Sequence, residues 1–172
     1  VNSPLAAVGI FLLGGVYAAV SGMSAVYGSQ IGMSVSQIAL FVAMTFAGSL
    51  VLQYPIGWLS DRIDRRLVIL GSALFGAASC GLGYLAWNDI TLLMGAAFLM
   101  GGVVTPLYAL IIAYTNDNLD PDDMPAASGA LVFFFGLGAI LGPLLTGAVM
   151  EIVGPAGFWL VIMGLFAAIT GY

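Results

Sequence analysis

The sequence predicts an all-α membrane protein with six transmembrane helices. Three observations predict it. Of 172 residues, 62% are apolar and only 6% are charged, against about 25% charged in a soluble domain. The apolar residues gather into six runs separated by short polar connections, and a hydrocarbon core about 30 Å thick needs roughly 20 apolar residues in a helix. The runs are unbroken, whereas barrel strands alternate over about ten residues. A helix also closes its backbone hydrogen bonds locally, as lipid demands. With a mean hydropathy of +1.13, the chain cannot cover a globule with polar surface. That excludes a soluble enzyme, a soluble binding module and a disordered tail.

The first span is expected from about Pro4 to Tyr27 and the second from about Val35 to Leu59, after a polar stretch with Ser34 and Ser36. The third runs from about Leu67 to Ala86, the fourth from about Ile90 to Thr115 and the fifth from about Ala126 to Ile152. The sixth starts near Gly157 and is cut off at Tyr172. The chain thus reads as a single six-helix domain and as a piece of a longer polypeptide. The first run is no cleavable leader, since no basic segment precedes it and similar runs follow. The chain's 24 glycines allow close helix contact, as in Gly71-Ser72-Ala73 and Gly76-Ala77-Ala78. Pro125 suits the first turn of the fifth helix, with Asp122 or Asp123 near its positive end.

Charge sets the orientation. All three basic residues, Arg62, Arg65 and Arg66, lie in the second connection, and there is no Lys. The positive-inside rule then puts the second and fourth connections, and both ends of the fragment, in the cytoplasm. The net charge of −5 comes from short loops. Without a basic stripe, nucleic acid is no partner. The absence of His removes Ser–His and Cys–His nucleophiles and His-ligated metals. An intramembrane serine protease or a His-Glu-x-x-His metalloprotease is therefore excluded. No catalytic residue, metal ligand or cofactor is expected. The lone Cys80 lies in an apolar run and reads as a packing thiol.

The second connection carries the motif with most content: Gly57-Trp58-Leu59-Ser60-Asp61-Arg62-Ile63-Asp64-Arg65-Arg66, preceded by Gln53-Tyr54-Pro55. A topology anchor would explain the Arg residues, but not Gly57 or the interleaved signs. In Gly57, Leu59, Ser60, Asp61, Arg62, Arg65 and Arg66 the chain resembles the major facilitator superfamily, which repeats Gly-x-Leu-(Ala/Ser)-Asp-Arg-x-Gly-Arg-(Lys/Arg) between the second and third helices of each six-helix half. Asp64 stands where the family has Gly, which leaves open the tight backbone turn there. On the fifth run, Gly129, Gly138, Gly142, Pro143 and Gly147 resemble a Gly/Pro pattern of the family's antiporters, with Thr146 at one small position. A bend and a close-packing face is the reading preferred over ion coupling, and the packing holds either way.

The resemblance implies one half of a secondary transporter, rocking against the other half of the same polypeptide around a midplane site for a small solute. The uncharged fourth run, the start without Met, Thr105-Pro106-Leu107-Tyr108 and Tyr114-Thr115-Asn116-Asp117 suit the C-terminal half of a bacterial inner-membrane member. The first and fourth spans would line the cavity, and the third and sixth would face lipid. Tyr17, Ser21 and Ser24 recur at helical spacing on the first span, as do Thr105 and Tyr108 on the fourth. They suit a cavity, or equally hydrogen bonds between packed helices. Tyr27 and Tyr114 suit the headgroup level. The resemblance makes the Asp61–Arg66 cluster a cytoplasmic latch: Asp61 meets a helix end of the other half, and Arg62 or Arg65 pairs with Asp117. No Asp, Glu, Lys or Arg lies in the central part of a span. A proton carrier would then sit in the other half, or the protein is a uniporter. The competing architecture is a self-assembling six-helix channel or a homodimeric small transporter.

Overall fold

A computed structural model describes residues 4–86, 89–117 and 124–171. They form six helices and, among the described residues, no strand: α1 (Pro4–Gln30), α2 (Val35–Ser60), α3 (Arg65–Leu85), α4 (Ile90–Asn116), α5 (Met124–Val153) and α6 (Gly157–Gly171). Five are long and apolar enough to cross a membrane, and α6 is shorter. Asp122 and Asp123, expected near the start of α5, lie outside the described residues.

The helix ends follow from local chemistry. α1 continues past the expected Tyr27 because its closing glycine comes later. Gly32 takes φ +79°. The Gly32 and Met33 N–H groups donate to the Ser29 and Gly28 carbonyls, the paired bonds that close a helix on a left-handed residue. Two residues on, Ser34 opens α2 with a reciprocal cap. Its hydroxyl accepts from the Gln37 N–H, and the Gln37 side chain accepts from the Ser34 N–H. α3 starts two residues before the expected Leu67, because the Asp64 carboxylate accepts the Arg66 N–H at 2.9 Å. Asp64 has φ −53°, so no glycine geometry is needed where the family has Gly.

The most extensive helix pairings join helices that are not neighbours in sequence. α1 crosses α5, and α4 crosses α2 in the same manner. At the first crossing, a Cβ on Gly14 would overlap the Phe135 carbonyl, one on Gly138 the Phe11 carbonyl and one on Gly142 that of Gly15. At the second, a Cβ on Gly48 would overlap the Phe98 carbonyl and one on Gly101 the Thr45 carbonyl. The sequence carries this repeat. Phe11-Leu12-Leu13-Gly14-Gly15-Val16 of α1 recurs in α4 as Phe98-Leu99-Met100-Gly101-Gly102-Val103, with one change.

α3 and α6 pack on each other, with α3 against α4 and α6 against α1. Small residues of α3 receive rings of α6: Phe166 covers Gly76 and Trp159 covers Gly83. Cys80 is fully buried between them in sequence, as a packing thiol would be. Gly71 of the same stretch faces open space. Tyr27, near the end of α1, turns its ring inward among the helices. It is 2% exposed, stacked on Phe158 at 4.8 Å and edge-on to Trp159 at 5.7 Å.

The glycines of α5 divide between two faces. Gly129 has nothing within 4 Å, and Gly147 meets only the Met23 side chain. Each lies nine residues, about two and a half turns, from Gly138, yet only Gly129 meets nothing among the described residues, whereas Gly147 touches α1 through the Met23 side chain. Backbone-to-backbone packing against α1 therefore belongs to Gly138 and Gly142, not to the whole pattern. Pro143 lies inside α5 and removes one backbone donor there. Thr146 is buried, its hydroxyl donating to the Gly142 carbonyl at 2.8 Å.

The crossings predict a contrast between glycines. Gly48→Ala should lower stability in detergent by about 1–3 kcal/mol, the usual cost of overpacking. Gly129→Ala, in open space, should be neutral or stabilising by up to about 1 kcal/mol. Thermal unfolding of the two purified variants measures the difference.

Candidate functional site

The three arginines stand around the α2–α3 connection, each with a different partner. Arg62 reaches back one turn: its guanidinium carbon lies 3.7 Å from the Trp58 ring centroid, and Nη1 donates to the Trp58 carbonyl at 3.4 Å. Arg65 reaches across to α4. It forms an ion pair with Asp117, and its Nε donates to the buried Ser60 hydroxyl at 3.1 Å. Of the two expected partners for Asp117, the structure selects Arg65. Arg66 Nε donates to the Tyr114 hydroxyl at 2.6 Å, with the guanidinium 5.2 Å from that ring's centroid.

These contacts answer a local conflict. Arg65 and Arg66 fall in the first turn of α3, where the helix dipole already supplies partial positive charge. Asp64 caps the turn, Asp117 neutralises Arg65, and Tyr114 takes Arg66 on its hydroxyl and ring face. Asp61 differs. It is exposed, and among the described residues its carboxylate has no hydrogen-bond or ion-pair partner. Its backbone N–H donates to the Gly57 carbonyl at 3.2 Å, and Gly57 carries open space on its Cα. Gly57, Ser60, Asp61 and Arg65 of this motif line a crevice of about 260 Å³ between α2 and α4, with Gln53, Pro106 and Ala109.

Toward mid-span, α1, α2 and α4 enclose a narrow groove of about 20 Å³. Tyr17, Ser21, Ser24 and Thr105 all line it. Tyr17, Ser21 and Thr105 are exposed. Ser24 is buried and spends its hydroxyl on the Val20 carbonyl. Tyr108 does not line the groove. Its ring packs edge-on against Phe135 at 5.1 Å, and Tyr17 meets the same ring at 5.7 Å. Two polar side chains of the groove were missed from the sequence, Thr45 and Ser49 of α2. The Ser49 hydroxyl donates to the Gly101 carbonyl at 2.7 Å and lies 3.1 Å from the Thr105 hydroxyl. The signal was present: Thr45, Ser49, Gln53 and Gly57 recur every fourth residue, a polar or open stripe along one helix face. It joins the groove to the charged crevice. Among the described residues, no group of three His, Cys, Asp or Glu side chains is placed to hold a metal.

Comparison with known proteins gives the family. The profile of the Major Facilitator Superfamily matches residues 5–171. The chain belongs to the major facilitator superfamily. This is a family of membrane transporters rather than enzymes. Similar curated proteins include the uncharacterized MFS-type transporter YfkF of Bacillus subtilis (strain 168), 34% identical over 133 residues, covering 77% of this chain and 34% of the relative. The MFS-type transporter YcaD of Escherichia fergusonii is 29% identical over 143 residues, covering 83% and 36%. Among solved structures, the POT family transporter PepTSo aligns with a TM-score of 0.80 at 15% identity, over 98% of this chain and 35% of that one. That likeness concerns the fold. The chain spans about a third of the length of these relatives.

The Arg65–Asp117 pair is well exposed at its carboxylate, 60% against 23% for the arginine. A double-mutant cycle of Arg65→Gln and Asp117→Asn, followed by unfolding, should therefore give a coupling of about 0.2–1 kcal/mol. A coupling well above that range would mean the pair is desolvated in the complete protein.

Proposed function

We propose that this superfamily chain forms the C-terminal half of a secondary active transporter that carries a small solute across the bacterial inner membrane by alternating access. The observation that carries the reading is the continuity of one face. The groove of Tyr17, Ser21, Ser49 and Thr105 leads along the α2 stripe to the crevice at Asp61 and Arg65. A solute path and a gate would need to share a surface in this way. The arginine end would lie in the cytoplasm, placing both ends of the fragment there. The other six-helix half of the same polypeptide would close over the face.

The roles of the charged residues follow from their partners. Arg65 is committed to Asp117 and Ser60, which ties α3 to α2 and α4 and keeps the connection rigid. Asp61 is left to meet a group outside this chain. A carboxylate gains about 0.3–1 kcal/mol at an exposed helix N-terminus, and about 1 kcal/mol shifts a two-state equilibrium roughly fivefold. Arg62 on Trp58 and Gly57 with its open Cα would shape the docking surface beside it. Tyr108, backed by Phe135, would brace the cavity wall and not touch solute.

Two measurements on the complete polypeptide in sealed vesicles test this reading. Ser21→Cys, in a protein whose native Cys80 is fully buried, should react with a membrane-impermeant maleimide applied from either side. Reaction from one side alone, or from neither, would count against alternating access. Asp61→Asn should then lower labelling from outside relative to inside by up to about fivefold. An unchanged ratio would remove the latch while leaving the cavity intact.

A further inference from the structure

Neither Arg62 nor Arg66 has a carboxylate partner among the described residues, and of the two it is Arg66 that borders an apolar crevice. Arg65 is neutralised by Asp117. Arg66 has the neutral phenol of Tyr114 as its side-chain partner, and the nearby Asp64 carboxylate accepts the Arg66 backbone N–H without forming an ion pair with the guanidinium. The guanidinium also stands in the first turn of α3, where the helix dipole adds to its positive potential.

This charge guards an apolar opening. Arg66 and Tyr114 form the polar part of a crevice of about 230 Å³ whose walls include Gly9 of α1, Ile69 of α3, Ile111 of α4 and Ile169 of α6. No residue of α2 or α5 lines it, so it does not belong to the groove or to the charged crevice described above. An inorganic anion would satisfy the guanidinium but leave the apolar walls unfilled. A neutral hydrocarbon would fill the walls but leave the charge uncompensated. A molecule with an anionic head and an apolar tail meets both demands, and basic pockets between membrane helices suit such head groups.

We infer that this crevice between α1, α3, α4 and α6 is a binding site for an anionic phospholipid, with the phosphate on Arg66 and part of one acyl chain between the helices. Tyr114 holds the guanidinium in place through Nε, which leaves its two terminal nitrogens to face the phosphate in a fork. Gly9 keeps the crevice open: a Cβ there would make ordinary contact with Ile111, 3.6 Å away, and a longer side chain would occupy the space of the tail. The leaflet that supplies the lipid follows from the orientation proposed above. Binding itself does not depend on that orientation or on transport.

The test is native mass spectrometry of the complete, detergent-solubilised polypeptide titrated with phosphatidylglycerol or with phosphatidylcholine. The unaltered protein should retain phosphatidylglycerol in preference to phosphatidylcholine. Arg66→Gln should weaken that retention roughly fivefold, as removal of one basic residue at a lipid surface does. Arg66→Lys, which keeps the charge, should restore most of it, separating charge from any loss of fold. Gly9→Leu should weaken it by displacing the tail, and Arg62→Gln should leave it unchanged. Equal retention of the two lipids, an unaffected Arg66→Gln or Gly9→Leu protein, or an equal loss in Arg62→Gln would each overturn the site. So would displacement of the lipid by millimolar inorganic phosphate, which would mark a pocket for a small anion. A transport failure in the vesicle assay would leave these retention results standing, and a retention failure would leave alternating access standing.

Discussion

The structure depends on backbone meeting backbone at two crossings. In lipid, apolar side chains gain little by leaving their surroundings for one another. Helices associate through close packing and polar contacts instead. Gly14 and Gly138 let α1 reach α5, and Gly48 and Gly101 let α4 reach α2. Because α1 pairs with α5 and α4 with α2, consecutive helices are not the main partners. α1 and α4 are drawn to the centre, and α3 and α6 fill in against them. The groove is a by-product of the second crossing. Gly101 has no side chain, so its carbonyl is open to the Ser49 hydroxyl, and Thr105 one turn on joins the same cluster.

The charged connection obeys a different constraint. Two arginines at the start of a helix oppose its dipole, yet residues of this charge are what hold a loop on one side of a membrane. The conflict is resolved by giving each guanidinium a partner on another turn or helix. Trp58 holds Arg62, Asp117 and Ser60 hold Arg65, and Tyr114 holds Arg66. The last two tie α3 to α4 directly. Topology and packing are thus served by the same side chains, and Asp61 remains outside the arrangement.

The six spans were legible because lipid imposes one simple requirement, a long apolar run. Helix ends were less so. Asp64 looked like a departure from a glycine turn, whereas it is a cap that moves the start of α3 to Arg65. Within α5 the glycine pattern was visible, but only Gly138 and Gly142 meet the α1 backbone; Gly147 touches an α1 side chain and Gly129 meets nothing among the described residues. Tyr17, Ser21, Ser24 and Thr105 line one groove because α1 and α4 lie side by side. Tyr108 lies outside that groove because its ring turns to Phe135 of α5, and no helical spacing within α4 reveals a partner on another helix. Thr45 and Ser49 went unread because two hydroxyls in a long apolar run resemble packing residues until the crossing helix is known.

The repeat between the two crossings sharpens what the groove is. Phe11-Leu12-Leu13-Gly14-Gly15-Val16 and its copy in α4 put α1 and α4 in equivalent places, and their partners then differ in kind. On α2 the residue beside the crossing glycine is Thr45, whose carbonyl faces Gly101. On α5 the residue in that role is Phe135, whose carbonyl faces Gly14. One crossing therefore presents hydroxyls, with Ser49 and Thr105 beside Thr45. The other presents a ring, against which Tyr17 and Tyr108 both pack. Equivalent backbones have been given unlike side chains. A fold that needed only two matched crossings would gain nothing from the difference, since glycine alone sets the helix distance. The asymmetry resides in the side chains that do not make the crossing, and those border the open face.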